Sequence, residues 1–277
     1  MERDPALCAA ARHNFAVLGR PDIAVHEGDG LAWLQEQSGR FDLIYLDPAR
    51  RSKTDRRVYD IADCEPNLLE VKDLLLQRAD CVLAKISPMA DISRTLAQLP
   101  EIRELHVVGA GGEVKELLLL LKPGKPAEEP LIVAAEGGYT FAFRPGEEPA
   151  AEVHYADAVG RYLFQPSKVL RKAGAFRLLS QRFGMDKLAP STHLYTADAP
   201  VEGFPGKVLE VEGTLAWSRA AVKELQARYD RLEMTAVNFP LDTDALRKRL
   251  GIPAGGSRHL FATTLSDKTK LLIICKI

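Results

Sequence analysis

The sequence predicts an α/β fold, an open sheet layered with helices, followed by two smaller α+β regions. Three observations carry this reading. Helical and strand-like patterns alternate over residues 1–122. Two polar linkers follow, at residues 123–130 and 144–151, rich in Pro, Gly and Glu. The charge balance then changes: residues 161–187 hold seven Lys/Arg against one acid, Asp186. These shifts divide the chain into residues 1–150, 151–204 and 205–277.

The elements read in order as follows. Residues 4–18 form an amphipathic helix with Leu7, Ala10, Ala11, Phe15 and Leu18 on one face, started by Asp4-Pro5. Residues 23–26 read as a short strand ending at Glu27-Gly28-Asp29-Gly30, and residues 31–37 as a helix. Residues 41–46 are nearly continuously apolar, the pattern of a strand covered on both faces. A helix at 67–78, a strand at 81–86 and a helix at 91–99 follow. Strands at 102–108 and 114–122 flank Gly109-Ala110-Gly111-Gly112 as an antiparallel pair. Residues 131–135 and 139–143 form a hairpin around Gly137-Gly138. The last region reads as strand 208–211, helix 218–228, strand 234–238, helix 243–250 and strands 259–264 and 270–276.

Composition excludes several classes. Of 277 residues, 46% are hydrophobic and 27% charged, the balance of a globular protein. Leu117–Leu121 is an apolar run of five, far below the roughly 18 residues of a membrane span. The start, Met-Glu-Arg-Asp-Pro, lacks a signal peptide's apolar core. Cys8, Cys64, Cys81 and Cys275 are scattered, which argues against a disulfide framework or a zinc site and fits a reducing cytoplasm. No metal is expected: His13, His26, His106, His154 and His259 lack ligand spacing and read as structural, while Trp33 and Trp217 read as packing residues. With a net charge of −1, any polyanion surface must come from local segregation of charge.

In open parallel sheets, ligands bind at the carboxyl ends of strands. Three places qualify. Asp29 can accept a hydrogen bond from an amine such as that of adenine; as a bland reading, it caps the helix that follows. Asp47-Pro48-Ala49-Arg50-Arg51 follows the most apolar strand, with Pro48 fixing the backbone beside an acid and two arginines able to hold a phosphate; otherwise it is a strand-ending turn with solvated charges. Lys85-Ile86-Ser87-Pro88 again places polar groups at a strand end, or is a surface turn.

Taken together, this series resembles the class I, Rossmann-like methyltransferases over roughly residues 1–122. The resemblance implies S-adenosylmethionine as cofactor. It assigns Glu2 to the cofactor ribose, Asp29 with Gly30 to the adenine, and Asp47-Pro48 to the Asp-Pro-Pro-like motif of the methyl-transfer site. The family's glycine-rich loop belongs before Glu2, so the sequence begins at the end of the second strand of an N-terminally incomplete sheet. Asp-Pro followed by Arg50 also resembles RNA C5-uracil methyltransferases. Those attack the base with a cysteine that Lys85-Ile86-Ser87-Pro88 lacks, and Cys81 reads as a packed thiol. Asp47, Pro48, Arg50 and Lys85 are therefore the candidate transfer residues: a proton acceptor or carbonyl from Asp47-Pro48, with Lys85 or Arg50 holding substrate.

More narrowly, the whole chain resembles a bacterial group of methyltransferases with a ferredoxin-like segment and a THUMP-like C-terminal domain. Tyr162-Leu163-Phe164-Gln165-Pro166, Lys172-Ala173-Gly174-Ala175-Phe176, His193-Leu194-Tyr195 and the stretch from Arg258 to Thr264 carry that resemblance, which implies an RNA substrate, tRNA or rRNA. Cations among aromatics in the middle region independently fit a single-stranded nucleic-acid platform. Arg161, Lys168, Arg171, Lys172, Arg177, Arg182, His193, Tyr195 and Arg258 are the candidate contacts. As the alternative, Val169, Leu170, Phe176, Leu179 and Phe183 are core and the cations a solvated helix face. Function accordingly divides between an RNA methyltransferase and a non-catalytic RNA-binding protein on a degenerate or truncated core. A protein methyltransferase with an acidic ribosomal partner is a third reading.

Overall fold

The structure, a computed structural model, describes residues 1–50 and 61–277, with Arg50 described through its backbone. Helix α1 (Pro5–Val17) starts where expected, the Asp4 side chain accepting from the Ala6 and Leu7 amides. Its packed stripe is Cys8, Ala11 and Phe15, whereas Leu7 and Leu18 are exposed, contrary to expectation. Two stripes one residue apart compete on this helix, and tertiary docking selected the one whose Cys8 thiol reaches the Glu2 carbonyl. No strand forms at residues 23–26. That segment meets residue 2 through a single parallel bridge, Glu2 with Glu27: the Glu2 amide donates to the His26 carbonyl (3.1 Å) and the Gly28 amide to the Glu2 carbonyl (2.8 Å). A strand needs a partner along its length, and here the described partner is one residue long.

The chain continues through α2 (Gly30–Glu36), β1 (Phe41–Leu46), β2 (Ala49–Arg50), β3 (Cys64–Glu65), α3 (Leu68–Arg78), β4 (Ala79–Ile86) and α4 (Ile92–Gln98). Asn67 and Asp91 cap α3 and α4. Then come β5 (Ile102–Ala110), β6 (Glu113–Leu121), β7 (Leu131–Glu136), β8 (Tyr139–Phe143) and α5 (Glu147–Ala150). Apart from the short β2–β3 pair, these strands form one sheet in the order β1-β4-β6-β5-β7-β8. β1 with β4 and β5 with β7 are parallel, and the other pairs antiparallel. Alternate residues Val82, Ala84 and Ile86 of β4 and Leu117, Leu119 and Leu121 of β6 turn into the core. β1 departs from expectation: Leu43 and Tyr45 are 49% and 54% exposed, because β1 is an edge strand whose one described neighbour is β4.

The second half comprises β9 (Tyr162–Pro166), α6 (Lys168–Ala173), α7 (Arg177–Phe183), β10 (Asp186–Ala189), β11 (Thr192–Ala197), β12 (Gly206–Ala216), α8 (Arg219–Arg228), β13 (Glu233–Val237), α9 (Thr243–Leu250), β14 (Arg258–Thr264) and β15 (Lys270–Lys276). One seven-stranded sheet, β10-β11-β9-β12-β15-β14-β13, spans it. β12 bulges between Val211 and Gly213, its first half pairing with β9 and its second with β15. The middle segment folds onto the first sheet: α6 packs against β5, β6 and β7, and one buried cluster runs from Leu34 through Leu117 to Phe164, Val169, Tyr195 and Phe204. Gly109 permits this approach, since a Cβ there would lie 2.4 Å from Val169 Cγ1. Among the described residues no helix is long and apolar enough to cross a membrane.

Candidate active site

A cavity of about 710 Å³ lies where the Glu2–Glu27 bridge, the start of α2 and the end of β1 converge. Leu31, Trp33, Leu34, Phe41 and Ile44 supply apolar wall, and Glu2, Asp29, Gly30, Asp47 and Pro48 line it too. Residues far apart in sequence meet here through the parallel Glu2–Glu27 bridge, which sets the chain's start beside α2. Gly28, with φ +132°, lets the backbone turn from the bridge directly into the cap of α2.

Asp29 is a helix cap and a cavity residue at once. Its Oδ1 accepts from the Leu31 and Ala32 amides, both at 2.9 Å, while its Oδ2 forms an ion pair with the Arg3 guanidinium. The Ala32 amide foremost, then Arg3, hold its carboxyl below the usual range. Glu2 accepts from the Asp4 amide through Oε1 at 2.9 Å. Asp47, just past β1, forms an ion pair with Lys85 near the end of β4, Nζ to Oδ2 being 2.7 Å. The parallel register of β1 and β4, Leu46 opposite Ala84, sets these two side by side. The hydrogen bond to Asp47 raises the Lys85 pKa, so Lys85 is an ammonium at neutral pH. Pro48 is buried. The Arg50 side chain and residues 51–60, Arg51 among them, lie outside the described residues.

Sequence reasoning missed Arg3 and Glu65. The Arg3 guanidinium lies 3.7 Å from Glu65, and both line the cavity. Their partners are 26 and 62 positions away, beyond any local pattern; the one available signal was that Arg3 adjoins Glu2. Cys81 donates its thiol to the Asp42 carbonyl across β1 and β4, which gives the packing reading a concrete contact.

Comparison with known proteins identifies the fold. Residues 162–205 match a ferredoxin-like domain family and residues 206–276 a THUMP domain-like family. An uncharacterized S-adenosylmethionine-dependent methyltransferase of Mycobacterium tuberculosis (strain H37Rv) is 27% identical over 263 residues, covering 93% of this chain and 68% of the relative. A ribosomal RNA large subunit methyltransferase K/L of Ectopseudomonas mendocina is 35% identical over 69 residues, 24% of this chain and 9% of its own length. A crystal structure described as a "putative methyltransferase" from Porphyromonas gingivalis W83 matches with a TM-score of 0.88 and 36% identity, over 99% of this chain and 70% of that one. The chain belongs to that methyltransferase family. Its α/β sheet followed by ferredoxin-like and THUMP-like domains is the architecture the resemblance implied.

In this family member the basic middle segment is built mainly into the fold. Lys172 donates to the Ala90 carbonyl (2.7 Å), Arg177 to the Ala151 carbonyl (2.7 Å) and Arg182 to the Ala142 carbonyl (2.7 Å), with the Arg182 guanidinium 4.7 Å over the Phe141 ring. Tyr195 is fully buried, its hydroxyl donating to the Phe176 carbonyl, so it cannot stack on a base; that expectation is corrected. The reason is packing: β11 is an interior strand and Tyr195 points into the shared core. His193 stacks on Phe176 with ring centroids 3.5 Å apart, its Nδ1 buried without a hydrogen-bond partner among the described residues. Lys168 pairs with Glu113 at 3.0 Å, and Arg258 pairs with Glu212. Arg161 and Arg171 remain on the exposed surface. The segment that carries these residues forms two helices, α6 and α7, separated at Gly174 in the left-handed conformation.

Proposed function

We propose that this chain is an S-adenosylmethionine-dependent methyltransferase acting on RNA, with its cofactor in the cavity bounded by α2 and β1. One observation carries the reading: Glu2, Asp29 and Asp47, from three separate stretches of sequence, line the same cavity. The donor set fits the cofactor. Carboxylates suit ribose hydroxyls and an adenine amine, and the apolar wall suits a base. When bound, the cofactor supplies an electrophilic methyl group on a sulfonium. Glu2 would hold ribose, and Asp29 and Gly30 the adenine side. Asp47 would accept a hydrogen bond from the acceptor group, held in place by Lys85, with Pro48 shaping the substrate edge.

Calorimetric titration of S-adenosylhomocysteine into the full-length protein tests this. Asp29→Ala is expected to weaken binding about tenfold or more, consistent with loss of a charge-assisted hydrogen bond. Absence of binding to the wild type would remove the cofactor reading.

An RNA substrate is supported by the THUMP domain-like match and by the ribosomal RNA methyltransferase relative. The proposed contacts are Arg161, Lys168, Arg171, His193 and Arg258, with Lys172, Arg177 and Arg182 contributing charge from their structural positions. Arg161→Ala with Arg171→Ala should weaken RNA binding and lower the slope of log affinity against log salt by about one to two. An unchanged slope would locate the RNA surface elsewhere.

A further inference from the structure

Among the described residues, the side chains that line the cavity are unequal in charge. They are four carboxylates, Glu2, Asp29, Asp47 and Glu65, and one cationic side chain, Arg3. Lys85 meets Asp47 but is not itself part of the lining. Arg3 stands between two of the acids, paired with Asp29 Oδ2 and 3.7 Å from Glu65. A carboxylate offers about four acceptor positions. On Asp29 the α2 amides take two through Oδ1 and Arg3 takes one through Oδ2, which leaves one for a ligand amine.

We propose that Arg3 is a specificity-determining residue of this cavity: its charge, set between Asp29 and Glu65, lowers the cavity's preference for a sulfonium cofactor over the neutral thioether product. This rests on the reading of the cavity as the cofactor pocket. The two ligands share their nucleoside and amino-acid portions and differ at sulfur by one methyl group and one positive charge. The charge of the lining therefore acts on one and spares the other. A cation beside two carboxylates lowers the local negative potential and with it the premium for a sulfonium. It also keeps Asp29 from presenting an uncompensated charge. Product retention is the functional consequence, because the smaller the premium, the better the thioether competes.

The test compares S-adenosylmethionine and S-adenosylhomocysteine binding to the full-length wild type, Arg3→Gln and Arg3→Lys. Calorimetry or the fluorescence of Trp33, which lines the cavity, provides the readout. Arg3→Gln is expected to raise the preference for the sulfonium about three- to tenfold at low salt, an effect that shrinks as salt screens it. Arg3→Lys should retain the wild-type ratio. A merely structural Arg3 would move both affinities together; equal changes for the two ligands, or a ratio unmoved in Arg3→Gln, overturns the proposal. If neither ligand binds the wild type, the cofactor reading fails and the proposal fails with it. If both bind and only the ratio is insensitive to Arg3, the cofactor reading stands and the role of Arg3 does not.

Discussion

Phe164→Ala is expected to cost about 3–5 kcal/mol of stability, the range for removing a large ring from a packed interior. Phe164 is fully buried on β9 and meets Phe204 edge-on with ring centroids 5.3 Å apart; Phe204 in turn meets Phe183 at 5.6 Å. These rings belong to the same cluster as Leu105, Leu117 and Leu119 of the first sheet, so the loss is shared. A domain's margin is about 5–15 kcal/mol, which makes this one side chain a large fraction of it. Urea unfolding should show an earlier midpoint in one transition that includes the first sheet. Hydrogen exchange should report weaker protection in β5 and β7 as well as in β9. Protection lost in β9 alone, with the first sheet unchanged, would mean that the two regions do not share their stability.

Acidification is expected to destabilise the protein through two histidines. Burial pushes His193 and His259 down to about 4, with Lys187 and Arg171 adding to the effect at His193 and Lys207 at His259. Glu233 opposes it weakly at His259, whose Nε2 lies 2.8 Å from the Thr235 hydroxyl. In the unfolded chain both titrate near the ordinary 6.5. Between those values the unfolded state binds more protons than the folded one, so stability rises with pH across the window. The contribution is fully present above pH ~6.5 and is lost as the pH falls towards about 4. Each histidine is worth about 2–3 kcal/mol over that range. Unfolding measured at pH 7 and pH 4.5 should show this slope in the wild type and a much flatter one in His193→Gln/His259→Gln. A slope equal in both proteins would mean that neither imidazole is held neutral by the fold.

Much of the fold was legible because its signals are local. Helix starts at Asp4, Asn67, Asp91, Ser218 and Asp242 follow from side chains that can accept from amides two or three residues ahead. The hairpin at Gly137-Gly138 and the β5–β6 turn follow from residues that tolerate positive φ. Errors came where a partner decides the outcome. Residues 23–26 have strand composition but bridge only at Glu27. Leu43 and Tyr45 have the composition of a covered strand but sit on an edge. The candidate site divides the same way: Asp29 and Asp47 could be picked out by residue type and position after a predicted strand and Glu2 by the family resemblance, whereas Arg3 and Glu65 matter through partners distant in sequence.

The sequence by itself determined much of the alternation of elements, their caps and turns, the charge imbalance of the basic segment, and that Asp47 follows a strand, since each depends on a residue and its near neighbours. Only the tertiary structure decided that the basic segment spends Lys172, Arg177 and Arg182 on backbone carbonyls and buries Tyr195. Composition counts charges and rings without regard to direction. Whether a guanidinium meets a carbonyl of its own chain or a phosphate from outside is set by which face of an element packs inward, and that is fixed by the sheet on which the element lands.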